Sequence, residues 1–336
     1  MKSFVIKAAC FILYAALIGI VFPYCLDPYN VFHTGSIRDN GVEPNKNYVK
    51  MSYILDNPDK FDAFLFGSSR VGAIHTEKIE ELHCYNMTYS AGIPEQHLRN
   101  LETLLANHII PKKIFIGLDS ISYTFQPEAL MDCLHCPYEY LSESWENLYG
   151  MYLNTGIAVL SLPVIVPHQV WGDGYVKGFY DNGSAIDYGQ ISSYDWEHAE
   201  VISGSIGYAD YLEETIGNMR DIVRICEENG IELVVFTNPM HPVTYEASLD
   251  KDWFRFLEEL AEVTDYYNFS GLNRITSDNA NFLETSHYTA ETGDLLLDCL
   301  VRGVTDDELL KEGFGMLVTK DNVGELLDIL KGQVGQ

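Results

Sequence analysis

The stretch that most constrains this chain is an apolar run that stops at a glycine: Asp62-Ala63-Phe64-Leu65-Phe66-Gly67-Ser68-Ser69-Arg70. A short apolar run closed by Gly67 reads as a buried strand, and the residues after it take up helical spacing. A strand that hands over to a helix leaves the intervening hydroxyls at the strand's carboxyl end. In open α/β sheets, ligands are held there. A serine in such a place also serves as an ordinary helix cap.

The pattern repeats. Strands are expected at Phe61–Phe66, Cys84–Tyr89 and Lys113–Leu118, with helices at Thr76–Leu82 and Glu95–Asn107 between them. Strand, helix and strand at this pace call for parallel pairing through right-handed crossovers. Further on, a helix is expected over Tyr208–Asn229 with Gly230 as its C-cap, then a strand over Ile231–Phe236. A helix over Asp252–Val263, a short strand near Tyr266–Phe269 and a helix over Ala290–Val301 complete the series. No repeat, P-loop or G-x-G-x-x-G occurs, and no cofactor is expected.

Outside this alternation lie two other textures. Lys2 and Lys7 precede Ala8–Tyr24, an uncharged apolar run at the short end of what crosses a bilayer. No small-x-small cleavage site follows, and Tyr24 before Cys25 argues against lipidation. Lysines on the short side place the remainder outside the cytoplasm. The expected layout is an anchor over 1–25, a juxtamembrane connector over 26–60, an α/β domain over 61–305 and a helical tail over 306–336. The second texture is an insertion over about 122–207, aromatic and rich in Gly and Pro, holding Trp145, Trp171 and Trp196 and expected to be partly helical. It reads either as irregular packing or as a lid or acceptor surface over the sheet's carboxyl edge.

Charge narrows the partners. With 49 acidic against 21 basic residues the formal net charge is −28, and no basic stripe offsets it, so nucleic acid is not an expected partner. Of the seven cysteines, Cys133 and Cys136 have the spacing of half a metal site without a second pair. A local disulfide or free thiols are expected there and no metal. Cys84, Cys226 and Cys299 fall in apolar patterns and read as core.

The chemistry is suggested by Glu284-Thr285-Ser286-His287. Serine becomes a nucleophile at neutral pH when a base takes its proton, and that base needs orienting on its other ring nitrogen. A carboxylate three residues before an imidazole can do so, and a distant serine at a strand end completes the set. Asn238 and His241 end the fourth strand near the same rim, with His241 a candidate for contacting substrate, and Tyr288 is expected to pack beneath it.

Gly67-Ser68-Ser69, the Asn86…Gly92 turn, Gly117-Leu118-Asp119 and Glu284-x-x-His287 stand in the order of the blocks of SGNH (GDSL-type) hydrolases. The likeness is closest to the membrane-anchored branch of DltD-like and AlgJ/AlgX-like proteins, with Asp27-Pro28-Tyr29 after a single anchor adding to it. It covers scattered blocks from about 61 to 300 and leaves 122–207 unmatched. The resemblance implies a three-layer parallel-sheet, flavodoxin-like domain. It also implies Ser69 as nucleophile, His287 as base, Glu284 as its orienting carboxylate, and backbone N–H groups of Gly92 and Ser69 as oxyanion donors. The activity implied is O-acyl transfer from an acyl donor to a cell-envelope or exported glycan, with a multi-spanning membrane O-acyltransferase as partner. A carbohydrate or acetyl esterase and a non-catalytic glycan-binding protein are the alternatives.

Three positions depart from that pattern. Ser68 fills a slot the family gives to Asp, Glu284 stands where the family more often has Asp, and Asp119 where it has Asn. An ionised carboxylate cannot donate to an oxyanion. Asp119 is therefore protonated, turned away, or replaced by another donor. Arg70 is either an anion-binding group or, as preferred, a surface arginine at a helix start.

Overall fold

The computed structural model describes residues 2–32, 40–42, 45–125, 150, 152–171, 183, 194–202, 206–208 and 210–335. The chain gathers into two compact units, Met1–Tyr53 with Leu130–Gly178, and Ile54–Ala129 with Phe179–Gln336.

The larger unit is built on a six-stranded sheet: β1 (Ala63–Gly67), β2 (Cys84–Asn86), β3 (Lys113–Leu118), β4 (Glu232–Thr237), β5 (Tyr266–Asn268) and β6 (Met316–Val318), in the order β2-β1-β3-β4-β5-β6. The first five strands are parallel and β6 runs antiparallel on β5. Every residue of β1 is buried, as expected of a strand covered on both faces. From β1 the chain steps one way to β2 and the other way to β3. The carboxyl ends of β1 and β3 therefore flank a topological switch point, where open parallel sheets leave a crevice.

At that point two glycines lie side by side, Gly67 in register with Gly117. A Cβ on either would come within 2.6 Å or less of a methyl of Val71. Their bareness lets the chain fold back tightly after β1 into the 3-10 turn Ser69–Ala73. Asn86, at the end of β2, holds this turn by donating to the carbonyls of Val71 (2.8 Å) and Ile74 (2.9 Å).

Helices follow the strands. After α1 (Lys2–Leu26) and α2 (Lys46–Asp56) come α3 (Pro94–Ala106), α4 (Ile121–Thr124), α5 (Thr155–Trp171), α6 (Leu212–Asn229), α7 (Pro242–Leu249), α8 (Trp253–Ala261), α9 (Ala290–Arg302), α10 (Asp307–Lys311) and α11 (Val323–Gln333). Pro94 opens α3, and left-handed Gly230 and Gly303 close α6 and α9. Phe115, Phe236, Phe269, Phe314 and Leu296 join the main core, with Cys84 and Cys299 among them.

The sequence expectations differ from this in four places. Thr76–Leu82 forms only a 3-10 turn, Thr76–Lys78. α7 was hidden by the proline that opens it, a residue favoured at the first helical position. The tail is not purely helical: Met316–Val318 adds an edge strand to the sheet. Part of the expected juxtamembrane connector is core. Tyr29, Val31 and Val42 pack with Tyr152 and Ile165 in a core of the smaller unit, and Asn45 donates to the Tyr152 hydroxyl at 2.8 Å. Cys133, Cys136 and Trp145 lie outside the described residues.

In the smaller unit α1 holds an 18-residue stretch with a mean hydropathy of 2.4 and is long and apolar enough to cross a membrane. Its 25 residues give about 37 Å against a hydrocarbon core of about 30 Å.

Candidate active site

Ser69, His287 and Glu284 come together in the larger unit. Ser68, extended, follows β1 and caps the turn, so Ser69 opens the turn with its side chain half-buried. His287 and Glu284 stand on the loop before α9. There the Leu283 N–H donates to the His287 carbonyl at 2.9 Å, and Phe282 bridges to Tyr288. His287 Nε2 is 2.8 Å from Ser69 Oγ, across 218 positions of sequence. Its Nδ1 is hydrogen-bonded to Glu284 Oε1, whose other oxygen accepts from the Ser286 N–H. The imidazole is 19% exposed and the carboxylate 7%, so the outer end of the relay can be reached while the inner end is shielded.

The same loop is held from three sides. Thr244, on α7, donates to the Thr285 carbonyl. Thr285 donates in turn to the Glu200 carbonyl at 2.6 Å. Arg70 donates from Nε to the Ser286 carbonyl at 3.0 Å and from Nη2 to the Ser286 hydroxyl at 3.4 Å. The guanidinium beside Ser69 thus grips the loop that carries His287.

Arg70, expected at the surface, is fully buried and ion-paired with Asp119 at 2.6 Å. Asp119 is also inside, and its carboxylate is surrounded by donors. It accepts from Ser68 Oγ (2.8 Å), Asn238 Nδ2 (3.0 Å) and the Ile121 N–H (2.9 Å). Asn238 Oδ1 accepts from the Tyr288 hydroxyl at 3.1 Å. Of the options left open for Asp119, the structure selects the one in which the carboxylate is turned into the protein. Asn238, expected at the rim of the site, belongs with Arg70 to the same closed network. A buried carboxylate stays charged at acceptable free energy only when paired and hydrogen-bonded, and here it is both. Burial pushes the Tyr288 hydroxyl well above its ordinary value, and Asp119 raises it further.

Gly92 lies against the carboxyl end of β1, where a Cβ would come within 2.5 Å of the Gly67 carbonyl oxygen. Only a glycine allows this approach, which sets the Gly92 backbone against Gly67, two positions before Ser69 in the chain. His241 caps α7, and its ring lies between Trp196 and Phe282, with Nε2 3.0 Å from Asn279 Oδ1. Trp196 and Glu200 come from the expected insertion, so its described stretch 194–202 packs beside the loop that carries His287.

Sequence reasoning missed Ser286, Thr244 and Asn86 as supports of the site. Ser286 sits between the two residues singled out, but nothing local marks its partner more than two hundred positions away. Among the described residues no group of three or more metal-ligating side chains is present. No family model, curated protein or solved structure matches the chain.

Proposed function

We propose that this chain is a serine acyl-transfer enzyme of SGNH type, with the three-layer arrangement of that class and Ser69, His287 and Glu284 as its relay. The observation that carries the reading is the 2.8 Å contact of His287 Nε2 with Ser69 Oγ, made while Glu284 holds the other ring nitrogen. Nucleophile, base and orienting carboxylate in this relation suit attack on an acyl carbonyl.

In the proposed reaction Ser69 Oγ attacks the carbonyl of the acyl donor as its proton passes to His287 Nε2. Backbone N–H groups of Ser69 and Gly92 stabilise the oxyanion. Collapse expels the donor's alcohol, which takes the proton from His287, and leaves an acyl ester on Ser69. An acceptor hydroxyl then gives its proton to His287, attacks the ester and releases Ser69. Throughout, Glu284 stays ionised and stabilises the imidazolium.

The particular role proposed is O-acyl transfer, of acetyl or a similar group, to a cell-envelope or exported glycan. The single anchor α1 would keep the bulk of the chain outside the cytoplasm, and a multi-spanning membrane O-acyltransferase would supply the acyl group. What supports transfer over hydrolysis is Asp119. Where the resembling hydrolases offer an amide to the oxyanion, this chain has a carboxylate engaged elsewhere, and losing one such donor costs about 2.7–4 kcal/mol of transition-state stabilisation.

The test is covalent. Full-length chain in detergent is treated with a fluorophosphonate and the modified residue is read by mass spectrometry. An adduct at Ser69, absent in Ser69→Ala and strongly reduced in His287→Ala, is expected. A folded chain that gains no adduct sinks the enzyme reading and leaves a glycan-binding protein. Hydrolysis of p-nitrophenyl acetate at full rate without any acceptor would instead mark an esterase.

A further inference from the structure

α5 is apolar on every side, yet it is covered on only one. From Thr155 to Trp171 it carries no Asp, Glu, Lys or Arg, though its length falls short of a membrane span. Ala158, Ser161 and Ile165, spaced as one face of a helix, are buried. Ile165 enters the small core with Tyr29, Val31 and Val42. On the other side Val159, Leu160, Val166, Val170 and Trp171 are between 48% and 75% exposed. A helix on a water-facing surface places charged or polar residues there. A contiguous apolar patch of this kind marks an interaction site.

What covers it is indicated by the neighbour of α5. The Thr155 hydroxyl donates to the Gly19 carbonyl of α1 at 3.0 Å. Gly19 lies about 10 Å short of the end of that apolar helix at 1.5 Å per residue. Wherever α1 crosses a bilayer, the start of α5 is therefore within the apolar layer or at its edge. The hydroxyls near that end are turned inward: Thr155 to Gly19, and Ser161 to the carbonyls of Ile157 (2.9 Å) and Ala158 (3.0 Å). The polar side chains His168 and Gln169 and the indole of Trp171 are grouped at the far end. Trp prefers the headgroup level of a membrane.

We propose that α5 is a second membrane-embedded element, lying in the interfacial layer with Val159, Leu160, Val166 and Val170 against lipid acyl chains. This rests on the reading of α1 as an anchor and not on the chemistry assigned to Ser69. Interfacial helices sink about 5–10 Å into the headgroup and acyl boundary, and they oppose this face with a polar one. In α5 the opposite face is covered by the protein's own small core. With α1 it makes a two-point attachment, which restricts the tilt of the smaller unit at the surface in a way a lone helix does not.

The experiment uses full-length chain in vesicles of phosphatidylcholine and phosphatidylglycerol. Benzoylphenylalanine replaces Val166 or Val170, with replacements of Phe11 in α1 and Tyr208 in the larger unit as references. After irradiation, lipid adducts are quantified by mass spectrometry, and circular dichroism checks that each variant is folded. Adducts at Val166 and Val170 comparable to those at Phe11, and on the order of tenfold above those at Tyr208, are expected. Lipid adducts at Phe11 with only the Tyr208 background at Val166 and Val170 would overturn the proposal and leave the anchor standing. Silence at all positions would remove the anchor, and this proposal with it. Crosslinks from Val166 or Val170 to protein instead of lipid would also overturn it.

Discussion

Two side-chain networks start from three consecutive residues and have opposite character. Ser69 turns outward to His287 and Glu284, forming an open relay whose imidazole is partly exposed. Ser68 and Arg70, on either side of it, turn inward to Asp119, Asn238 and Tyr288, and that network is closed and dry. The first has a reachable hydroxyl and suits chemistry. The second has its donors and acceptors matched to one another and suits positioning. They meet at Ser286, which Arg70 grips and whose N–H supports Glu284. The difference teaches that a charged pair next to a half-buried hydroxyl can be turned wholly inward. It can help fix the distance between two loops far apart in the sequence.

Substitutions can break this contrast. Ser69→Ala should remove acyl chemistry by on the order of 10⁶-fold while leaving the melting temperature nearly unchanged, since the hydroxyl's main partner is the base. Glu284→Gln should keep the fold and lower the rate by on the order of 10⁴-fold, because the amide fails to hold the imidazole in the working tautomer. Both are read from the rate of fluorophosphonate labelling. An equal loss of stability in the Ser69 variant would erase the distinction between the networks.

Arg70→Met should act the other way round, lowering stability by about 3–5 kcal/mol because the Asp119 carboxylate is left buried without its cation. Urea unfolding measures this, and a loss under 1 kcal/mol would show the network to be less dry than the geometry implies. Gly117→Ala comes next. The added methyl meets Val71 and the Phe236 ring, and overpacking of this kind costs about 1–3 kcal/mol. It should also slow labelling, since Val71 shares the turn with Ser69, and the two effects can be followed on one sample.

The last effect is confined to acid pH. Burial beside Phe66 and the Tyr89 hydroxyl pushes His97 down to about 3, against an unfolded value near 6.5. The folded state thus holds this ring neutral where the unfolded chain would protonate it. The associated stability is fully present above pH 6.5 and is lost as pH falls toward 3, by up to about 1.4 kcal/mol per unit. His97→Gln should flatten the acid limb of a stability-against-pH curve. Ser69→Ala should leave that limb unaltered.

Much of the frame was legible in the sequence. Lys113–Leu118 was read to the residue, and Gly230 closes its helix as the expected left-handed cap. Those features are local: strand runs, helical spacing and glycine caps follow from neighbours a few residues apart. The insertion was expected to be partly helical, but the bounds of α5 were not read and α7 escaped, because Pro163, Pro167 and Pro242 interrupt the local signal, while packing and N-terminal placement accommodate them. β6 escaped because three residues carry no periodicity, and its pairing with β5 is a long-range event.

By itself the sequence determined the parallel α/β frame, the apolar first helix, and the short loop that brings a carboxylate to an imidazole. It could not determine which way each of Ser68, Ser69 and Arg70 would face. That depends on a turn folded down over two bare glycines, one on β1 and one on β3, and on partners about fifty to more than two hundred positions away. Local spacing sets the backbone's repeat, but whether a charge lies in water or inside the protein is settled only when distant strands and loops close around it.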